Sequence, residues 1–169
     1  GGPCAGETRK IDSWSHRDHS WSARFSHEPA WEPAQQNIKG HYWPSIQLPN
    51  RHINIFGSPD PKGKIGGFVS DDSGTKPILG GSCEWLMSDN ERDAVAFRYT
   101  LEMPDGETIH VRTGQKYGQV KLWIRGENDL ENVMDCYEPF FDYEVEETGE
   151  RGYGVSEYSV HPPWPRWLV

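Results

Sequence analysis

The sequence predicts an all-β protein, an antiparallel meander of about eight strands closed as a barrel or folded as a sandwich, and three observations carry that prediction. Eighteen Gly and 13 Pro are scattered along 169 residues. That composition breaks long helices and suits short strands joined by turns. Between Asp93 and Met103, Val95, Phe97, Tyr99, Leu101 and Met103 alternate with Ala96, Arg98, Thr100 and Glu102, the period of two of a half-buried strand. Pro104-Asp105-Gly106 then joins a residue with preset φ to one that accepts positive φ. Beyond it Thr108, His110 and Arg112 alternate with Ile109 and Val111, so the two segments make a hairpin.

The other strands follow from short runs of β-forming residues bounded by turn residues. They are Ser45 to Leu48, His52 to Phe56, Ile65 to Val69, Ile78 to Met87, Tyr117 to Ile124, Val133 to Val145 and Gly152 to Val160. Asp71-Asp72-Ser73-Gly74, Arg125-Gly126-Glu127-Asn128 and Glu146-Glu147-Thr148-Gly149 are the turns between several of them. The one helical segment expected is a turn or two around Glu28 to Asn37, shortened by Pro29 and Pro33. No repeat or heptad pattern is present. The chain divides into an N-terminal extension (1–12), one β domain (13–160) and a tail (161–169) too rich in Pro for a regular element. Trp164, Trp167 and Leu168 of that tail are expected to pack on the surface or against a partner.

Charge and composition exclude several function classes. A formal charge of −9 and a pI near 5.2 leave no positive field for nucleic acid or an anionic membrane surface. Hydrophobic residues reach only 34%, but 8 Trp, 7 Tyr and 6 Phe supply large buried areas, so the expected core is aromatic. Cys4, Cys83 and Cys136 are odd in number and widely spaced, which indicates neither a disulfide framework nor a Cys-based zinc site and fits a reducing compartment. Neither a membrane span nor a signal peptide is recognisable, and the expected location is cytoplasmic.

Polar chemistry is concentrated at the front. Five of the 7 His (His16, His19, His27, His41 and His52) fall in the first 52 residues, interleaved with aromatics. In SWSHRDHSWSAR, residues 13–24, an extended chain turns His16, Asp18 and Ser20 one way and Arg17, His19 and Trp21 the other. A carboxylic acid facing an aromatic cavity has its pKa raised by desolvation and is ready to protonate a weak base such as an alkene, with a flanking His as base or orienter. The structural alternative is an Arg17–Asp18 ion pair that pins a strand. A metal site built on His16 and His19 is the third reading, but facing ligands in a strand need even spacing, so no metal or other cofactor is expected.

A second cluster is ERGYGVSEYSV, residues 150–160. Tyr153, Val155, Glu157 and Ser159 share one face of a strand and Gly154, Ser156, Tyr158 and Val160 the other. Glu157 inside a barrel becomes a second candidate acid or base. In the alternative it points outward from an edge strand, with Gly152 and Gly154 marking a bulge.

Together, HRDHSW with Arg24 and the late GYGVSEY resemble the lipocalin-like superfamily of hydroxyneurosporene synthase (a carotenoid hydratase), kievitone hydratase and tocopherol-cyclase-like proteins. The specific parts are residues 16–21 and 152–158; between them the likeness is one of strand rhythm. The resemblance implies a calycin-type barrel or flattened sandwich with an apolar cavity. It also implies protonation of an alkene in an isoprenoid or prenylated aromatic compound, followed by water addition or ring closure. Carried onto this sequence, Asp18 becomes the proton donor and His19 its partner. Arg17 orients the acid, Trp21 lines the cavity, and Glu157 and Tyr153 sit across it. Ser22 departs from the Gly that commonly follows the Trp of the motif. Family chains usually carry two such lobes where this sequence has one, so a complete cavity implies a homodimer or a second lobe.

The expected function is thus a cofactor-independent hydratase, cyclase or isomerase acting on an apolar unsaturated substrate. Asp18, His19 and Glu157 are the candidate catalytic residues. Trp14, His16, Arg17, Trp21, Trp31, Tyr42, Trp43 and Tyr153 are the candidate binding residues, their aromatic faces suited to a carbocation. The alternatives are a non-catalytic carrier of the same ligand class and a lobe whose aromatics serve assembly.

Overall fold

The computed structural model describes residues 40–57, 65–88, 93–126 and 129–160, with Gly6 and Lys10. Nine antiparallel strands form one sheet: β1 (Gly40–Gln47), β2 (Arg51–Gly57), β3 (Ile65–Asp71), β4 (Gly74–Ile78), β5 (Gly80–Met87), β6 (Ala94–Glu102), β7 (Thr108–Gly126), β8 (Asp129–Val145) and β9 (Arg151–Val160). Among the described residues there is no helix, and none therefore long and apolar enough to cross a membrane. The expected all-β architecture is the observed one.

Strand order explains how the sheet curls. The order is β4-β3-β2-β1-β9-β8-β7-β6-β5, so its two edges, β4 and β5, are consecutive in the chain and joined by Leu79 alone. One residue spans less than 4 Å, and the edges must therefore meet. β4 and β5 act as a single strand bent at Leu79, its first half paired with β3 and its second with β6. Counted that way, eight strands close an antiparallel barrel, an even number as closure requires. Closure is nearly complete, β5 also lying against β3.

The turns are those the residue types demand. Met103 and Glu107 close the predicted hairpin through Gly106 N–H to Met103 O (3.0 Å) and Met103 N–H to Glu107 O (2.9 Å). At the β3–β4 turn Asp71 Oδ1 accepts from Ser73 N–H (2.7 Å) and Ser73 Oγ (2.5 Å). These hydrogen bonds hold the Asp71 carboxyl below its ordinary pKa.

Some boundaries differ from the expected ones. β1 begins at Gly40 rather than Ser45, β4 is an additional strand, and the segments from Thr108 to Arg112 and Tyr117 to Ile124 are one 19-residue strand with register shifts between Thr113 and Gly118. Along β6 and just past its end the row Phe97, Tyr99, Leu101 and Met103 is buried as predicted, but Val95 is exposed and Ala94 buried. A register shift opposite Leu86 and Met87 inserts Val95 as an extra residue and turns its side chain out. The helical segment Glu28 to Asn37, the extension and the tail lie outside the described residues.

The interior is divided along the barrel axis. Toward the hairpins at Leu48–Arg51, Met103–Glu107 and Val145–Glu150 it is mainly aliphatic, with Ile46, Leu48, Leu101, Ile109, Val111 and Val145 buried. Toward the opposite end it is aromatic. There Tyr42, Trp85, Phe97 and Tyr158 meet near the start of β1, the end of β5, the start of β6 and the end of β9.

Candidate functional site

The aromatic half of the barrel holds the most unusual chemistry among the described residues. Trp85 stands edge-on to Tyr42, Phe97 and Tyr158, with ring centroids 5.9, 5.2 and 5.4 Å apart. Phe97 stacks on Tyr99 at 5.9 Å. Edge-to-face contacts at these separations pack large rings without facing their π-clouds. Cys83, Trp85 and Met87 point to the core from β5 yet stay partly exposed, because β5 borders the incompletely closed side of the barrel.

Deeper in, three hydroxyls meet. Ser156 Oγ lies 3.0 Å from the Tyr99 hydroxyl and 2.5 Å from that of Tyr143, and all three residues are buried. Burial pushes the Tyr99 phenol well above its ordinary pKa, with further upward contributions from Cys83 and Tyr143. Tyr143 is also raised, first by burial. Three O–H protons share two oxygen–oxygen contacts, so one proton is left over. The Trp85 Nε1–H is buried with no oxygen or nitrogen acceptor. Its polar neighbour is the Cys83 thiol, which also faces the Tyr99 hydroxyl and which burial pushes well above its ordinary pKa. A neutral thiol is a weak acceptor.

The alternation in β9 is as predicted, but the faces are the reverse of the catalytic expectation. Gly154, Ser156 and Tyr158 point in, whereas Tyr153, 44% exposed, points out. Glu157 shares that outer face with Ser159 and the β1 residues opposite them, His41 and Trp43. Glu157 and Tyr153 therefore do not sit across the barrel interior. Nor do Gly152 and Gly154 mark a bulge, since β9 pairs with β1 in one unbroken register.

Glu157 belongs instead to an outer cluster. Its Oε1 lies 2.8 Å from His41 Nε2, and His41 Nδ1 lies 2.6 Å from Ser159 Oγ. The order resembles a hydrolytic triad, but Ser159 is fully buried. An attacking serine needs an open approach to its oxygen. Trp43 Nε1–H donates to Asn54 Oδ1 (3.0 Å) and Ser45 Oγ pairs with His52 Nε2 (2.9 Å), so this face is knit by polar contacts. Cys136 lies beside Glu157, and its pKa is pushed up to about 12, first by burial and then by the Glu157 and Glu138 carboxylates.

Of the residues expected to act, the structure brings Tyr42 into the aromatic half and places Trp43, Tyr153 and Glu157 outside the barrel. Asp18, His19, Trp14, His16, Arg17, Trp21 and Trp31 lie outside the described residues. Trp85, Tyr99, Tyr143, Ser156 and Cys83 complete the interior site. Tyr99 carried a signal, since it interrupts an otherwise apolar alternating row with a phenol. Among the described residues no three His, Cys, Asp or Glu converge as metal ligands.

The raised thiols make a direct prediction. Ellman's reagent at pH 8 leaves Cys83 and Cys136 unmodified in the folded protein and modifies both in guanidinium, as peptide mapping reads out. Fast native modification of either would place its sulfur in a polar environment.

No family model matches the chain, and no curated protein matches it.

Proposed function

We propose that this chain binds an apolar small molecule in the aromatic half of its barrel. The observation that supports this reading is the interior itself: packed aromatic rings, reached at β5 through the partly exposed Cys83, Trp85 and Met87, around a buried Trp85 Nε1–H that has no hydrogen-bond partner. Small-molecule sites are typically concave and apolar with a few placed polar groups, and an eight-stranded barrel is of the right width for one ligand. Equilibrium gel filtration with a pool of isoprenoid and prenylated aromatic compounds, read by mass spectrometry, tests it. Retention of one or more compounds is expected, with quenching of Trp fluorescence that weakens in Trp85→Phe. Retention of none sinks the reading.

A catalytic reading goes one step further and is favoured by the resemblance at residues 16–21. In sequence Asp18 and His19 precede β1, whose first residue is Gly40. In this reading the Asp18 carboxyl gives its proton to an alkene carbon and the neighbouring carbon becomes cationic, facing the rings. Water then adds its oxygen there, and a proton from that water returns to the carboxylate. In heavy water the product gains deuterium at carbon, and Asp18→Asn lowers turnover about a hundredfold. Ligand retained with no deuterium gain leaves a carrier. Glu157→Gln is expected to leave ligand binding unchanged, because Glu157 faces away from the interior.

A further inference from the structure

The interior donors say what kind of ligand the barrel selects, an inference that rests on the binding reading. Trp85 Nε1–H can only donate, and it has no oxygen or nitrogen acceptor. The Tyr99–Ser156–Tyr143 cluster carries one more proton than it has contacts between its oxygens, and the partner set against Tyr99 beyond them is the Cys83 sulfur, a weak acceptor. A buried donor without an acceptor costs the desolvation of that group, roughly the strength of the hydrogen bond it lacks. Both vacancies are of one sign. The site is short of acceptors and has donors to spare, so a ligand oxygen with free lone pairs repairs it and a second hydroxyl does so less well.

Charge narrows the class. The buried polar side chains among the described residues are Asn54, Ser156 and Ser159, with no Lys, Arg or His among them. A carboxylate or phosphate placed in this interior has no buried counter-charge and meets the full cost of desolvation. A hydrocarbon avoids that cost but leaves the donors unpaired. We infer that the barrel selects an uncharged, flat apolar molecule bearing a carbonyl or ether oxygen, which accepts from the Trp85 indole N–H and the surplus hydroxyl of the Tyr99–Ser156–Tyr143 cluster.

The test uses two naphthalenes of nearly equal shape, 2-acetonaphthone and 2-ethylnaphthalene, which differ by a carbonyl in place of a methylene. Calorimetry on the whole chain is expected to give the ketone a Kd about tenfold lower than the hydrocarbon. Trp85→Phe, which keeps an aromatic ring and removes the N–H, is expected to erase most of that preference while both compounds still bind. The carbonyl stretch of the bound ketone, measured by infrared in the unmutated protein, shifts below its value in hexane and needs no folded variant. Equal Kd values, or a carbonyl stretch as in hexane, overturn the selection while leaving the binding reading intact. Failure of both naphthalenes to bind overturns the two together.

Discussion

Gly154→Ala is expected to destabilise the fold by about 3 kcal/mol or more, against little change for Gly66→Ala. A Cβ at position 154 falls 2.1 Å from the Ser45 carbonyl oxygen and 3.0 Å from Ile46 Cα, both on the backbone of β1. A flexible side chain could swing aside, but a strand cannot. Relief requires β1 and β9 to separate, and that pairing is what joins strands β1–β4 to strands β5–β9 within the sheet. At Gly66 nothing lies within 4 Å of the added atom and the backbone is in an ordinary region, so the substitution removes only unfolded-state freedom. Urea unfolding of the two variants checks this. A Gly154→Ala midpoint close to that of the parent protein would mean that the β1–β9 contact is looser than its geometry.

Alkali is expected to unfold the protein cooperatively above about pH 10. Tyr42, Tyr99, Tyr143 and Tyr158 all have phenols raised by burial, the first cause in each case. The sign follows from linkage. A group whose folded pKa lies above its unfolded one holds its proton longer in the native state, so its stabilisation is complete below the unfolded pKa and is lost as pH rises toward the folded one. With unfolded phenols titrating near pH 10, each buried tyrosine costs about 1.4 kcal/mol by pH 11, and four together about 6 kcal/mol. That is comparable to the whole stability of a domain of this size. Cys136, with a pKa pushed up to about 12, acts in the same direction, and its contribution begins lower because an unfolded thiol titrates near 8.5. Absorbance at 295 nm from the buried phenols should therefore rise in one step, coincident with the loss of far-ultraviolet circular dichroism. A gradual rise that precedes the loss of structure would show the phenols to be reached by solvent in the folded state.

Both predictions turn on contacts between strands far apart in sequence, and the same division runs through what could be read from the chain. The β6–β7 hairpin was legible residue by residue, because an apolar row from Phe97 to Met103, a Pro-Asp-Gly turn and the Ile109–Val111 row all act locally. The bulge at Val95 was not. It arises from the pairing of β5 with β6, and the local pattern continues through it unbroken. Likewise Ile78 to Met87 reads as one strand, and only the sheet shows that it bends at Leu79 to pair with two different neighbours.

The candidate site divides in the same way. That the core would be aromatic follows from composition, and Tyr42 was named from its place among aromatic neighbours. In β9 the period of two correctly separated Tyr153, Val155 and Glu157 from Gly154, Ser156 and Tyr158, but both rows mix polar and apolar groups. Neither announces itself as the buried one. The choice is made by register: pairing with β1 and β8 places Ser156 against the inward Tyr99 and Tyr143 and puts Glu157 beside His41 on the outside. Composition and alternation along the chain suffice for the class of fold and for most of its strands and turns, since both are properties of sequence neighbours. Which face of β9 lies inside, and that Trp85 has no oxygen or nitrogen acceptor, depend on burial and hydrogen bonding between strands that meet across the barrel and are remote in the chain.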